Sequence, residues 1–246
     1  MVHHREFSMT TSRLFLPKTP AVGATDSMNV EATRRQPSLR ASVLTLFPDA
    51  VISLMQVSVL GRAQQEGLVS VDVRQLRDHA LDKHKKVDDT LCGGGAGLLM
   101  RVDVVVRALR SALDGDAEQY GPQRRRRIIL LDPAGQPFVQ ADAHRLATYD
   151  HLILICGRYE GIDARIEHYV DESVSVGDYV LTGGELPALV VLDATARLVP
   201  GVLGNSDSVI RESHESGLLE QRQYTRPIVF ESHEVPQVLL SGDHGA

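Results

Sequence analysis

Short apolar runs alternate with longer mixed segments along most of this chain. A continuous apolar run of a few residues suits a strand that is buried on both faces. Such runs predict strands at Ser42–Phe47, Leu68–Arg74, Ile128–Leu131 and Leu152–Cys156. The segments between and after them predict helices at Asp49–Val59, Asp103–Leu113, Gln140–Tyr149 and Asp163–Tyr169, and an apolar helix from Pro187 to about Val199. This alternation predicts an α/β fold, a parallel sheet with helices on both faces.

The two ends of the chain do not show this pattern. Residues 1–39 are rich in Thr, Ser, Pro and Arg and lack the apolar core of a secretory signal. They predict a disordered extension, or a start codon assigned too early. Residues 201–246 are polar and loop-rich, with no evident packed unit. The ordered domain is therefore predicted to span residues 40–200.

Composition narrows the class of protein only slightly. The 246 residues are 43% hydrophobic with no tryptophan, so aliphatic side chains must build the core. A formal net charge of -6 argues mildly against nucleic acid, although a local basic patch would be enough to bind it. Two cysteines far apart in sequence favour the reducing cytoplasm over a secreted disulfide scaffold. No apolar run approaches the length of a membrane span.

The stretch Val174–Pro187, VSVGDYVLTGGELP, is the most distinctive of the loops. Its three glycines permit sharp bends and close approach to a ligand, and Pro187 suits the first turn of the following helix. A tight turn without a ligand would explain the same residues. Parallel sheets bind ligands at the carboxyl ends of their strands, and the loops at Leu131–Gly135 and Cys156–Gly161 occupy the same kind of position. Three such loops favour a pocket.

Several familiar motifs are absent. The glycines at 93–97 are followed by Leu-Leu-Met rather than by the Gly-Lys-Ser/Thr of a phosphate-binding loop. No dinucleotide fingerprint, HExxH zinc motif or GxSxG nucleophile elbow occurs. Glu160, between two glycines after a buried strand, offers a carboxylate to a ligand. Asp193 and Arg197, one helical turn apart, are either a satisfied buried ion pair or a functional arginine.

Five segments together resemble the bacterial tRNA (guanine-N1)-methyltransferases, the TrmD family of the SPOUT class. They are LCGGGAGLLM, LDPAGQPF, LILICGRYEGIDARI, VDESVSVGDYVLTGGELPALVVLDATARLVPGVLGN and LLEQRQYTRP. The resemblance implies a C-terminal trefoil knot, S-adenosylmethionine as the methyl donor and the guanosine at position 37 of tRNA as the acceptor. It also implies a homodimer that shares its active sites, and a dependence on magnesium, for which no ligand is identified. The family's helical C-terminal tRNA-binding domain is expected to be largely missing, with 201–246 as the linker and the start of that domain.

The resemblance also assigns individual residues. The cofactor-binding positions carried over by motif are Leu131, Pro133, Tyr159, Glu160, Gly161, Val176, Gly177, Tyr179, Val180, Leu181, Gly183, Gly184 and Pro187. Arg197 matches the arginine that engages the target guanine. Glu212 stands where the family usually has an aspartate general base, donated by the other subunit. Two alternatives stay open: a catalytically weak cofactor- or RNA-binding fragment, and a SPOUT enzyme acting on another RNA.

Overall fold

A sheet of parallel strands with helices on both faces forms the centre of the protein. The structure, a computed structural model, describes residues 36–121, 125–204, 213 and 221–241. The strands are β1 (Leu39–Thr45), β2 (Val69–Gln75), β3 (Asp88–Thr90), β4 (Leu98–Met100), β5 (Arg126–Pro137), β6 (His151–Cys156), β7 (Glu172–Ser175), β8 (Val229–Phe230) and β9 (His233–Glu234). The α-helices are α1 (Pro48–Met55), α2 (Ser58–Gln65), α3 (Val102–Tyr120), α4 (Gln140–Ala147), α5 (Glu185–Ala196) and α6 (Gln237–Leu240). Two 3-10 helices cover Leu76–His79 and Ala164–Tyr169.

The main sheet has the strand order β2-β1-β6-β5-β7, and all of its pairs are parallel. This confirms the predicted α/β class. The trefoil knot and the domain boundaries at residues 39 and 200 stay predictions. Among the helices that the structure describes, none has the length and apolar character needed to cross a membrane.

Strand β6 shows why the apolar runs are continuous rather than alternating. Successive side chains of a strand point to opposite faces of the sheet. Leu152 and Leu154 join the core formed with α1, α2, α4 and α5, whereas Ile153 and Ile155 join the core formed with α3. All four are completely buried. Because both faces are covered, the run from Leu152 to Cys156 is continuously apolar.

The predicted helix bounds need three corrections. The single helix predicted at Asp49–Val59 is wrong, since α1 ends at Met55 and α2 begins at Ser58. Helix α3 continues seven residues beyond Leu113, to Tyr120, where Gly121 leaves the helix with a φ of 88°. The segment predicted as a helix at Asp163–Tyr169 is a 3-10 helix, with the Asp163 side chain accepting a hydrogen bond from the backbone N–H of Arg165.

Several short elements were not predicted, among them the β3–β4 hairpin and β7. β3 pairs with β4 in an antiparallel hairpin, so the loop predicted at Asp82–Asp89 ends in a strand. β7, from Glu172 to Ser175, lies at the sheet edge beside β5. Neither shows a clear pattern in the sequence, because strands of three or four residues are too short to give a periodic or apolar signal. Their position depends on tertiary contacts, such as the Met100 N–H donating to the Gly161 carbonyl at 2.9 Å.

A buried polar cluster lies at the amino-terminal end of β6. The His151 ring is 2% exposed and its Nε2 lies 2.9 Å from the Ser42 hydroxyl. Its Nδ1 lies 3.4 Å from Asp116, which also forms an ion pair with Arg40. Burial, together with the positive charge of Arg40 and further arginines, lowers the pKa of His151 to about 4. The imidazole is therefore neutral in the folded protein at pH 7.

This neutral histidine should make the protein less stable in mild acid. The unfolded chain takes up a proton at His151 near the ordinary pKa of 6.5, whereas the folded chain does so only near 4. The stabilisation is complete above pH 6.5 and decreases towards pH 4, reaching a loss of about 3 kcal/mol. Urea unfolding at pH 7.5 and pH 5.0 should show a difference of about 2 kcal/mol for the parent chain.

The variant His151→Gln should lose most of that difference. His84→Gln, which removes an exposed histidine, should keep it. Equal pH dependence in the parent and in His151→Gln would contradict this account.

Candidate functional site

One cavity lies at the carboxyl ends of three neighbouring strands of the main sheet. Its volume is about 330 Å³, and its walls are a bulge in β5, the loops that follow β6 and β7, and the first turn of α5. A volume of this size is at the lower end of the range for small-molecule sites. The three loops that the sequence places at strand ends therefore do converge.

All the positions that the resemblance assigns to the cofactor line this cavity. They are Leu131, Pro133, Tyr159, Glu160, Gly161, Val176, Gly177, Tyr179, Val180, Leu181, Gly183, Gly184 and Pro187. The structure thus brings together residues up to 56 positions apart in the sequence, from Leu131 to Pro187. Their role in binding a cofactor stays a prediction.

The first wall is a bulge in β5. Leu131 and Gln136 both pair with Val174 of β7, so the residues between them leave the ladder and turn towards the cavity. The Asp132 carboxylate closes this turn by accepting a hydrogen bond from the Ala134 N–H at 2.8 Å. The prediction that the strand ends at Leu131 in a loop is therefore wrong, since residues 132–135 form a bulge within β5, which continues to Pro137.

The second wall, after β6, contains unusual backbone. Tyr159 has a φ of 61°, in the left-handed region that side chains other than glycine rarely adopt. The Glu160 N–H donates to the Leu98 carbonyl at 3.1 Å, and a Cβ on Gly97 would lie 2.5 Å from the Glu160 Cγ. Glu160 is thus pressed against β4, and its side chain stays exposed at the cavity. Such strain is often found where a ligand is bound.

The third wall is the stretch from Val176 to Gly184. The Tyr179 hydroxyl donates to the Val176 carbonyl at 3.2 Å, which folds the loop back on itself. The Gly184 N–H donates to the Gly157 carbonyl at 2.9 Å and joins this wall to the second. Tyr179 and Val180 are 56% and 84% exposed, which leaves an apolar surface at the mouth of the cavity.

A buried ionic group beneath the cavity was missed by the sequence reasoning. The Glu185 side chain is 6% exposed and forms an ion pair with Arg158, with Oε2 3.0 Å from Nε. Thr45 also donates a hydrogen bond to Glu185. A carboxylate at the start of an otherwise apolar helix was the available signal. Burial, followed by the negative charge of Glu185, raises the pKa of the neighbouring Cys156 thiol, so this thiol stays protonated.

One of the two predicted catalytic residues, Arg197, is not at the cavity of this chain. Arg197 is the residue that caps the carboxyl end of α5, and it does not line the cavity at the other end of that helix. Asp193 is exposed, so a buried Asp193–Arg197 pair is wrong. Glu212 lies outside the described residues. Within the described ranges, no group of three or more His, Cys, Asp or Glu residues is placed to hold a metal ion.

Comparison with known proteins gives one consistent family. Residues 39–246 match the sequence model described as tRNA (Guanine-1)-methyltransferase TrmD. A tRNA (guanine-N(1)-)-methyltransferase from Roseobacter denitrificans is 48% identical over 206 residues, which are 83% of this chain and 83% of that protein. A relative of the same name from Symbiobacterium thermophilum is 52% identical over 204 residues, 83% and 81% of the two chains. The crystal structure of tRNA (m1G37) methyltransferase from Aquifex aeolicus matches with a TM-score of 0.69 at 32% identity, covering 85% of each chain.

Proposed function

The chain belongs to the TrmD family of tRNA (guanine-1)-methyltransferases, and we propose on this premise that it methylates N1 of guanosine 37 in tRNA with S-adenosylmethionine. The observation that carries the proposal is the cavity: every position expected to bind the donor lines it. Backbone N–H and C=O groups of its glycine-rich walls can approach an adenine ring closely. The Glu160 carboxylate can accept hydrogen bonds from N–H or O–H groups of the donor.

The chemistry requires a base and a group that stabilises negative charge. Guanine N1 carries a proton and is a poor nucleophile until the proton is removed. The Glu212 carboxylate accepts this proton, a contribution of roughly 10²–10⁴-fold. The Arg197 guanidinium donates hydrogen bonds to O6, where negative charge develops as N1 is deprotonated. When bound, the donor would supply an electrophilic methyl group on its sulfonium sulfur, and transfer of that methyl to N1 would break the carbon–sulfur bond and release the neutral thioether.

We propose that two copies of the chain form each active site. Arg197 follows Glu185 by twelve residues of α5, which is about 18 Å at 1.5 Å per residue. An arginine at that distance from the cavity of its own chain is better placed to act in the cavity of a second chain. Leu186 and Val190, one turn apart on α5, are 55% and 49% exposed and offer an apolar face for this contact.

The described residues suggest no magnesium ligand, and the cellular location is inferred from the substrate. The part of the chain that the structure describes offers no set of three or more His, Cys, Asp or Glu side chains for a metal ion. We therefore assign no ligand to magnesium and route no step of the reaction through it. We also propose a cytoplasmic location, because the substrate is tRNA.

The decisive experiment is a titration of S-adenosylmethionine by calorimetry, followed by methyl transfer to tRNA transcripts with the same sample. We expect binding, and transfer to a transcript with guanosine at position 37. A transcript with adenosine at that position should accept no methyl group, because adenine has no N1 proton to donate to Glu212 and no O6 to accept hydrogen bonds from Arg197. Undiminished transfer to the adenosine transcript would indicate another RNA target. Donor binding without any transfer would indicate a binding fragment.

A further inference from the structure

The buried group beneath the cavity joins three elements that are far apart in the sequence. Thr45 ends β1, Arg158 follows β6, and Glu185 begins α5. The Thr45 hydroxyl donates to Glu185 Oε1 at 2.6 Å, and Arg158 Nε donates to Glu185 Oε2 at 3.0 Å. Each carboxylate oxygen therefore has a donor of its own. A buried carboxylate needs such partners, because otherwise the loss of hydration would be uncompensated.

The same arginine also holds the third wall of the cavity. Arg158 Nη1 donates to the Thr182 carbonyl at 3.0 Å, and the guanidinium lies 4.3 Å from the centre of the Phe47 ring. Its backbone N–H lies 3.1 Å from the Met100 sulfur. Arg158 and Thr182 both line the cavity. One fixed guanidinium thus connects the buried carboxylate to the backbone of the loop that closes the cavity.

Two glycines allow the loop to pass across this group. A Cβ on Gly183 would overlap Arg158 Nε and would lie 2.6 Å from Glu185 Oε2. A Cβ on Gly184 would lie 2.7 Å from the Cys156 Cα and 3.0 Å from the Gly157 nitrogen. The Gly183-Gly184 pair is therefore required by packing against the protein itself, in addition to any approach of a ligand.

We propose that Glu185 and Arg158, fixed by Thr45, are positioning residues that hold the loop from Gly177 to Gly184 in the conformation that receives the methyl donor. This inference rests on the proposed function. A buried ion pair contributes little to stability compared with apolar packing, whereas it does define one geometry. Without it, the loop samples conformations that cannot bind, and apparent affinity falls with the competent fraction.

The test is Glu185→Gln, with Glu172→Gln as the matched control. Glutamine has one acceptor oxygen and no negative charge, so it cannot accept from Thr45 and Arg158 with separate oxygens as Glu185 does. Glu172 is also partly buried and paired with two arginines, Arg127 and Arg145, but it does not line the cavity. We expect Glu185→Gln to raise the dissociation constant and the KM for S-adenosylmethionine about tenfold, with kcat and the KM for tRNA within about threefold. Glu172→Gln should leave the KM for the donor within about twofold.

A readout without any ligand keeps this inference separate from the proposed function. Hydrogen exchange at the Gly184 N–H, which donates to Gly157, should become about tenfold faster in Glu185→Gln while exchange in β1 and β6 is unchanged. Thr45→Ser should behave like the parent and Thr45→Val like Glu185→Gln, because only serine keeps the hydroxyl. Unchanged exchange and an unchanged KM would overturn the positioning role. If exchange is faster in Glu185→Gln but the parent chain binds no donor, the positioning role is preserved and the proposed function is overturned.

Discussion

Replacing Arg197 with alanine should lower the rate of methyl transfer by about 10²–10³-fold and leave the affinity for S-adenosylmethionine within about threefold. In the proposed mechanism the guanidinium stabilises charge that develops at guanine O6, so its removal should destabilise the transition state and lower kcat. It caps the end of α5 remote from the cavity and does not contact the donor site of its own chain. Single-turnover transfer to a guanosine-37 transcript and calorimetry with the donor measure the two quantities.

Mixed dimers can show which chain supplies the arginine. Arg197→Ala copies keep an intact cavity, and Glu160→Ala copies keep Arg197 but are expected to bind the donor poorly. A dimer of one copy of each has one complete site if Arg197 acts across the interface. The mixture should then recover up to half of the parent's transfer rate in the mixed dimers. No recovery would show that Arg197 acts on its own chain's cavity, and parent-like transfer by Arg197→Ala alone would remove it from the mechanism.

The main sheet could be predicted because its strands are buried on both faces. β6 is apolar at every position after His151, and its burial is complete from Leu152 to Cys156. β7 and the β3–β4 hairpin could not be predicted, because neither forms a long apolar run. A strand such as Glu172–Ser175 forms because β5 offers unpaired backbone groups beside it, which is information from elsewhere in the chain. At the break between α1 and α2 the backbone packs closely on itself, since a Cβ on Gly61 of α2 would lie 2.6 Å from the Gln56 carbonyl carbon.

The position of the candidate site could be predicted from the sequence, but the contacts that hold its loops in place could not. Parallel strands bring their carboxyl-end loops to one edge, so loops that end strands could be grouped before any coordinates were known. The individual donor-binding positions came from the resemblance. The contact between Arg158 and Glu185, 27 positions apart, depends on α5 crossing behind β6, which no local pattern encodes. The displacement of Arg197 from the cavity likewise appears only when the direction of α5 is known.

Replacing Gly135 with alanine should lower the free energy of unfolding by about 3 kcal/mol and abolish donor binding. A Cβ at this position would lie 2.5 Å from the Val174 nitrogen and 2.6 Å from the Ser173 carbonyl carbon. These are backbone atoms of β7, so no side-chain rotation can relieve the overlap. The bulge of β5 must therefore move away from β7, which separates the cavity walls that contain Leu131 and Val176.

Gly204→Ala is the matched control, because a Cβ there meets no atom within 4 Å. It should change the free energy of unfolding by no more than about 0.5 kcal/mol and leave donor binding intact. Urea unfolding of both variants and calorimetry with S-adenosylmethionine give the comparison. A Gly135→Ala protein as stable as Gly204→Ala, with parent-like affinity for the donor, would show that the contact between the β5 bulge and β7 does not shape the cavity. If Gly135→Ala loses affinity for the donor but keeps the parent's free energy of unfolding, the β5 bulge moves away from β7 at little cost in stability, and only the shape of the cavity is lost.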